Sequence, residues 1–206
     1  LNLLTCMGIL KKIKDQFYRL FIAPYYRCSL GSFGKDSFIF KPTAIDGKRN
    51  IFIGNGVIIA DYGWLAAVPH TGKEKSNIKV GDGTYIGRFC HIYATSLINI
   101  GRKVIMADKV YISDNLHGYE DINKPVIDQP IMQTMDVSIG EGSWIGENVC
   151  IIGAVIGRHC IIGANAVVTK NIPDHSIAIG VPAKITKRFN FETKHWQKTN
   201  AEGEFI

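Results

Sequence analysis

The sequence predicts an all-β fold in which very short strands coil into a parallel solenoid, and three observations lead to this prediction. The first is composition: 21 of the 206 residues are glycine, above the usual share of about 7%, and no G-X-Y collagen period explains them. The second is a six-residue repeat of an aliphatic residue followed by a small one. The third is that this repeat fits neither the 3.6-residue helical period nor the turn spacing of about 8–12 residues typical of a β-sandwich.

The repeat is clearest in four groups, each containing three aliphatic positions that are six residues apart. Two apolar positions per six residues suit short strands joined by tight bends, because a large side chain fills the interior and a slim one fits where the wall turns. Glycine permits such bends. Each group therefore predicts one turn of a triangular prism, with successive turns pairing in parallel. The aliphatic positions are Val80, Ile86 and Ile92; Ile100, Met106 and Ile112; Ile139, Ile145 and Ile151; and Ile156, Ile162 and Val168.

Interruptions of the repeat predict the domain organisation. A weaker copy of the repeat lies upstream, so the solenoid domain is predicted over residues 31–183. Between the second and third groups the repeat pauses for 27 positions instead of six, which predicts a loop over about 113–138. A second loop is predicted over about 65–79. Long loops on a repetitive scaffold often carry function. The polar, charged residues 184–206 predict a C-terminal extension.

The first 30 residues lack the repeat and predict a helical segment. Their apolar residues recur at helical spacing, with most of the basic residues elsewhere on the helical wheel. The preferred interpretation is a helix that caps the open end of the solenoid, as repeat proteins require. The alternative is a basic amphipathic surface that touches an anionic membrane. The apolar positions are Ile9, Leu10, Ile13, Phe17, Leu20 and Phe21, and the basic ones are Lys11, Lys12, Lys14 and Arg19.

Charge and cysteine content restrict the class of protein. The formal net charge of +6 permits an anionic partner, which could be nucleic acid, anionic lipid or a phosphate-bearing cofactor. The five cysteines are odd in number and form no CxxC pair, so a disulfide scaffold or zinc ribbon is not expected, and reduced thiols predict a cytosolic protein. No apolar run reaches the roughly 18 residues that a membrane-spanning helix needs.

Among six histidines, His117 lies in the longer predicted loop, where polar residues surround it and Gly118 allows an unusual turn. From the residues alone, a solvated side chain and a catalytic group are both open. His91 is predicted to face outward beside Cys90 on the wall of the solenoid. The sequence contains no HxxxH or HExxH pair, so any metal site would have to be assembled between coils.

Three segments resemble the hexapeptide-repeat acetyltransferases. They are Val137–Gly146, with the letters WIG; Ile162–Pro173, with VVTKNIP; and Ile179–Lys184, with GVPAK. Together with the repeat and the loop histidine, they are most similar to the branch of galactoside and maltose O-acetyltransferases, nodulation acetyltransferases and polysaccharide-biosynthesis O-acetyltransferases. The resemblance is good over residues 75–190 and looser over 30–75.

The resemblance implies a left-handed parallel β-helix that forms a homotrimer with active sites between subunits. It also implies acetyl-CoA as co-substrate, a sugar or glycan hydroxyl as acceptor, and His117 as the catalytic base. Lys184 and Lys187 stand where the galactoside enzyme has arginine, so the charge is kept and the bidentate geometry is lost. No metal and no nucleic-acid partner is predicted. The residues implied to bind coenzyme A are Trp144, Ala164, Thr169, Lys170, Lys184 and Lys187.

The expected chemistry is direct attack of a hydroxyl on the thioester. A sugar hydroxyl is a weak nucleophile at neutral pH, and a histidine is suited to remove its proton. Asp114, Glu120, Asp121 or a backbone carbonyl could orient the imidazole, and the sequence does not choose among them. His91, Tyr93 and Asp114 are predicted to contact the acceptor.

Three alternatives remain open at this point. An antibiotic-modifying acetyltransferase of the chloramphenicol or streptogramin type would differ only in its acceptor. A γ-type carbonic anhydrase shares the coil but requires a histidine pair five residues apart, and Ile122 stands five positions after His117. A catalytically silent scaffold would need none of these residues.

Overall fold

The computed structural model describes residues 13–206, whose strands form three parallel sheets along the sides of a triangular prism. We call these sheets faces 1, 2 and 3, in the order in which the chain visits them. Each turn of the chain adds one short strand to each face, and strands in successive turns pair in parallel. Six complete turns, coils 1–6, run from Ser32 to Val168.

Most strands contain two to four residues. Face 1 contains Ser32–Phe33, Ile51–Ile53, Asn77–Val80, Leu97–Ile100, Val137–Ile139 and Val155–Ile156. Face 2 contains Phe38–Ile39, Ile58–Ile59, Tyr85–Ile86, Ile105–Met106, Trp144–Ile145, Ile161–Ile162 and Ser176–Ile179, followed by the antiparallel strands Lys184–Asn190 and His195–Lys198. Face 3 contains Ala44–Asp46, Trp64–Ala67, His91–Ala94, Tyr111–Ser113, Cys150–Ile152 and Val167–Val168.

The interior is an aliphatic stack built by the six-residue repeat. On face 2, Ile86, Met106 and Ile145 are each 0% exposed, and they occupy the same position in successive coils. Burying one such side chain contributes about 1.5–3 kcal/mol. The predicted fold class is confirmed: the chain is a left-handed parallel β-helix with a helical N-terminal segment and a short C-terminal extension.

The helical segment packs on coil 1. Residues 13–29 are helical, with a π-helical turn at Tyr18–Ile22 and an α-helix at Ala23–Ser29. Tyr18 and Tyr26 are buried, and the Tyr18 hydroxyl donates to the Ile39 carbonyl at 3.2 Å and accepts from the Ile39 amide at 2.7 Å. One side of the helix therefore covers the first coil. The predicted helical positions 9–12 lie outside the described residues.

Two excursions leave the prism at the edge between faces 3 and 1. The first occupies 68–76, because the flanking residues of the predicted 65–79 loop pair as strands. The second contains an antiparallel hairpin of Asn115–His117 and Ile131–Gln133, which we call the His117 hairpin, and a 3₁₀ turn at Val126–Asp128. A further 3₁₀ turn, Lys48–Asn50, joins coils 1 and 2. No helix within residues 13–206 is long and apolar enough to cross a membrane.

Candidate active site

His117 ends the first strand of the His117 hairpin, opposite Ile131. Its side chain is exposed, and no described residue forms a hydrogen bond with its imidazole. The next residue must be small: a Cβ atom at Gly118 would lie 2.6 Å from the Pro130 carbonyl oxygen, to which the Gly118 amide donates at 2.9 Å. The hairpin therefore holds a solvent-accessible imidazole at a fixed place beside the prism.

Asp114 anchors this hairpin to the preceding coil. It is 0% exposed. Its Oδ1 accepts from the Thr95 amide at 2.7 Å, and its Oδ2 accepts from the amides of Ser96 and Leu97 at 2.7 and 2.9 Å. Hydrogen bonds of this kind to a buried carboxylate are charge-assisted and strong. The sequence-based expectation that Asp114 contacts the acceptor or orients His117 is therefore not what the structure shows, because both carboxylate oxygens are committed to the turn at 95–97.

Gln133 joins the two excursions. Its amide nitrogen donates to the Asp114 carbonyl at 2.8 Å, and its Oε1 accepts from the Thr71 hydroxyl at 2.7 Å. The Thr95 hydroxyl lies 2.9 Å from the same Oε1. The loop 68–76 and the His117 hairpin are thus tied together, although they are far apart in sequence.

Replacing Asp114 by asparagine is expected to destabilise the protein by about 2–4 kcal/mol, because an amide nitrogen would face backbone amides that need an acceptor. Urea unfolding measures this loss. Asp128→Asn, in the exposed part of the same excursion, is the matched control and should change the free energy of unfolding by less than about 0.5 kcal/mol. An equal effect of the two substitutions would contradict the anchoring role.

An aromatic strip lies on face 3 next to these loops, formed by Trp64, His91, Tyr93 and Tyr111. The Trp64 and His91 rings stack with their centroids 4.2 Å apart, and the Tyr111 ring meets His91 edge-on at 5.3 Å. Burial lowers the pKa of His91, so its neutral form is favoured. Its Nε2 is buried without a hydrogen-bond partner among the described residues.

Tyr93 extends the strip toward the excursions. Its hydroxyl hydrogen-bonds to His70 Nδ1 at 2.5 Å, and burial raises the pKa of the phenol. The Asn115 side chain donates to the Tyr93 carbonyl at 3.4 Å. His91 and Tyr93, both predicted acceptor contacts, are therefore close to the base of the His117 hairpin.

Trp64, His70 and Gln133 are residues of this region that no sequence pattern marked. Trp64 pairs in register with His91, and the shared position in coils 2 and 3 could have been found by aligning the coils across the first excursion. His70 and Gln133 lie in excursions outside the repeat, so no periodic signal marks them.

Trp144 lies on face 2 in coil 5 and is 49% exposed. It pairs with Ile105 below and Ile161 above. The column continues through Ile177 to Lys187. Trp144 and Lys187, both implied coenzyme A residues, therefore share one outward column of face 2.

Ala164 is exposed at the edge between faces 2 and 3, where coils 5 and 6 approach closely. A Cβ atom at Gly146 would lie 2.6 Å from the Ala164 amide nitrogen, so glycine is required there. Lys184 is also exposed and pairs with Ile179 in the strand after coil 6. Thr169 and Lys170 are exposed as well, but they follow the last strand of face 3, at its edge with face 1.

The structure thus divides the predicted residues between opposite sides of one chain. Trp144, Ala164, Lys184 and Lys187 form a face 2 group, which lies on face 2 and at its edge with face 3. The His117 hairpin leaves from the edge between faces 3 and 1, and in a triangular prism that edge is opposite face 2. A single copy does not bring His117 to Trp144.

The buried cysteine thiols of the β-helix are poor nucleophiles. Cys90 and Cys160 are buried, and burial raises the pKa of Cys90 to about 11 and that of Cys160 in the same direction. No group of three or more His, Cys, Asp or Glu side chains between residues 13 and 206 is placed to hold a metal ion.

Comparisons with known proteins agree with this architecture. Residues 136–170 match the family described as bacterial transferase hexapeptide (six repeats). The chain is 32% identical over 203 residues to the protein named "Putative lipopolysaccharide biosynthesis O-acetyl transferase WbbJ" of Escherichia coli (strain K12), and the match covers 93% of both chains. It is also 32% identical over 156 residues to the galactoside O-acetyltransferase of the same strain, covering 75% of each chain.

Solved structures show the same fold. A maltose O-acetyltransferase from Clostridium difficile 630 is similar with a TM-score of 0.54 and 28% identity, covering 80% of this chain and 73% of that one. AntD, an N-acyltransferase from Bacillus cereus solved with dTDP and 3-hydroxybutyryl-CoA, has a TM-score of 0.68 at 19% identity, covering 82% and 89% of the two chains. The second similarity is one of fold alone.

Proposed function

This chain belongs to the hexapeptide-repeat acetyltransferase family, and from that premise we propose that it transfers the acetyl group of acetyl-CoA to a hydroxyl of a sugar or glycan precursor. The protein is an acyltransferase, and acetyl-CoA is its co-substrate. What we propose is the identity of the acceptor and the role of each residue. The observation that carries it is the exposed imidazole of His117 on a hairpin that a buried carboxylate anchors.

His117 acts as the general base. It accepts the proton of the acceptor hydroxyl while the hydroxyl oxygen attacks the thioester carbon. When the carbon–sulfur bond breaks, it returns that proton to the departing thiolate, so atoms and charge balance without a covalent enzyme intermediate. The raised pKa of the Cys90 and Cys160 thiols supports this direct route over one through a cysteine.

The active site lies between two copies of the chain in a homotrimer. In this arrangement one copy supplies His117, and its neighbour supplies the face 2 group for coenzyme A. The support is the placement of these residues on opposite sides of one prism. A head-to-tail interface closes into a ring of three when each copy is rotated by one third of a turn from its neighbour, roughly 120°.

Coenzyme A is held by exposed cations and by the edge of face 2. Lys184 and Lys187 supply positive charge for its phosphates, and Trp144 with Ala164 lines the pantetheine path. Thr169 and Lys170, at the edge between faces 3 and 1, extend this path from the copy that supplies His117. Lysine binds phosphate as a point charge without the bidentate geometry of arginine.

The acceptor binds between the His117 hairpin and the aromatic strip. His91 and Tyr93 contact it, and the His70 imidazole joins them through the Tyr93 hydroxyl. Support for a sugar comes from the names of the relatives: one is a galactoside O-acetyltransferase, and another is named for lipopolysaccharide biosynthesis. The buried thiols fit a cytosolic location for the enzyme.

Release of free coenzyme A thiol tests the proposal. The full-length protein is mixed with acetyl-CoA and a panel of hexoses, amino sugars and nucleotide sugars, with chloramphenicol as a separate arm. The proposal expects acceptor-dependent thiol release and an acetyl ester on a sugar product. Turnover with chloramphenicol but with no sugar of the panel would favour the antibiotic-modifying alternative.

A further inference from the structure

The helical segment has a second side that is largely exposed to solvent. Ile13, Phe17, Leu20 and Phe21 are 58%, 55%, 61% and 66% exposed. They stand at i, i+4, i+7 and i+8, so they form one continuous stripe along the helix. We call these four residues the outer stripe. The Phe17 and Phe21 rings touch, with their centroids 4.9 Å apart.

The positive charge of the protein is concentrated at the same end. Among the described residues, 13–50 contain seven Lys and Arg against three Asp, a net charge of +4, and residues 51–206 contain 15 basic and 15 acidic residues. The net positive charge of the described residues therefore resides in the helical segment, coil 1 and the turn that follows. Exposed cations such as Lys14 and Lys41 lie beside the outer stripe.

A cleft next to the outer stripe is also apolar and cationic. It has a volume of about 450 Å³, and its apolar wall includes Ile13, Phe17 and Phe40. Lys14 and Lys41 line it as well, together with the single carboxylate of Asp15. An apolar slot whose two ammonium groups outnumber its one carboxylate suits a lipid, whose acyl chain is apolar and whose headgroup phosphate is anionic.

We propose that the N-terminal end of the β-helix docks on an anionic lipid bilayer through the outer stripe and the surrounding lysines. Phenylalanine and leucine side chains that stand out from a helix insert at the boundary between headgroups and acyl chains, and basic residues near them are attracted to anionic lipid. The inner side of the same helix, through Tyr18 and Tyr26, fixes this surface rigidly to coil 1. One helix thus serves both as cap and as membrane contact.

The positive charge around the outer stripe favours an anionic membrane over a second copy of the chain as its binding partner. Two copies meeting through their outer stripes would each bring a region of net charge +4, counted over residues 13–50, to the interface, and like charges there oppose association. An anionic bilayer turns the same charge into attraction.

Vesicle flotation tests the inference with the full chain and needs no acetyl acceptor. The probes are vesicles of phosphatidylcholine alone and vesicles with about 30% phosphatidylglycerol, at low and at physiological salt. The wild-type protein should float with the anionic vesicles and stay in solution with the neutral ones. Phe17→Ser/Phe21→Ser should weaken the partition coefficient at least about tenfold. Lys14→Gln/Lys41→Gln should weaken it about fivefold per lysine, with most of the effect at low salt.

Matched controls are exposed residues at the other end of the molecule. Phe191 and Ile206 are 66% and 82% exposed, and Phe191→Ser/Ile206→Ser should bind vesicles like the wild type. Lys194→Gln/Lys198→Gln is the corresponding charge control. Equal binding to neutral and anionic vesicles, or unchanged binding of Phe17→Ser/Phe21→Ser, would overturn the proposal. It would equally be overturned if that double variant changed the oligomeric state measured by light scattering while the wild type failed to float.

Discussion

Replacing His117 by alanine is expected to lower kcat by about two to four orders of magnitude, while the dissociation constant of acetyl-CoA changes by less than about twofold. The size of the effect is that of general-base catalysis on a weak nucleophile. Binding should survive because the face 2 group, which we assign to coenzyme A, lies on the opposite side of the chain from the hairpin. Steady-state kinetics with a sugar acceptor and calorimetric titration of coenzyme A measure the two quantities.

His195→Ala is the matched control for this variant. His195 is exposed in the C-terminal hairpin, so its removal should leave kcat within about twofold of the wild type. Near-normal turnover by His117→Ala would refute the assignment of the base. Loss of coenzyme A binding together with turnover would instead place His117 in the binding of the co-substrate.

Replacing Gly140 by alanine is expected to destabilise the fold by about 2–4 kcal/mol, because the added methyl group meets backbone that cannot move aside. A Cβ atom at Gly140 would lie 2.4 Å from the Gly157 carbonyl carbon and 2.5 Å from the Arg158 amide nitrogen in the next coil. Forcing these coils apart disturbs the ladder on face 1, where the Gly140 amide donates to the Ile156 carbonyl at 2.8 Å. Urea unfolding monitored by circular dichroism gives the change in the free energy of unfolding.

Gly63→Ala is the matched control for the packing of the coils. The nearest atom to a Cβ there is 3.6 Å away, which is ordinary contact. The substitution should be neutral or should stabilise the protein by up to about 1 kcal/mol, since alanine has less freedom in the unfolded chain. Similar losses for the two alanine variants would contradict the view that close approach of the coils is what selects glycine.

The repeat made the architecture predictable because the same pattern of interior side chains recurs in every coil. Ile86, Met106 and Ile145 occupy equivalent places in successive coils, and the six-residue spacing within each coil marks those places in the sequence. The position of Trp144 on face 2 and the point at which the second excursion leaves follow from the same count. The excursions themselves were predictable only as interruptions.

What the repeat could not reveal lies in contacts between excursions. Asp114 looked like a site carboxylate in the sequence, but it is buried and binds three backbone amides of another coil. Gln133 and Thr71 meet across 62 positions of sequence. No local pattern records such a contact, because each residue acquires its partner only after the coils have stacked. The sequence likewise did not show that the N-terminal helix has two different apolar sides. It therefore predicted capping and membrane contact as alternatives for the same segment.

Complementation between two inactive variants tests most directly the claim that the site is shared by neighbouring copies. His117→Ala removes the base from one side. Ala164→Trp fills the coenzyme A side with an indole ring at an exposed position. The two chains are co-expressed with different affinity tags, and oligomers that carry both tags are isolated.

A trimeric ring that contains both variants has one junction in three at which an intact His117 meets an intact face 2 group. A site shared between neighbouring copies predicts about one third of the wild-type rate per trimer, from two chains that are each inactive alone. Separately purified variants mixed without exchange should remain inactive. Verified mixed oligomers with no activity above that of the single variants would contradict a site built from two copies.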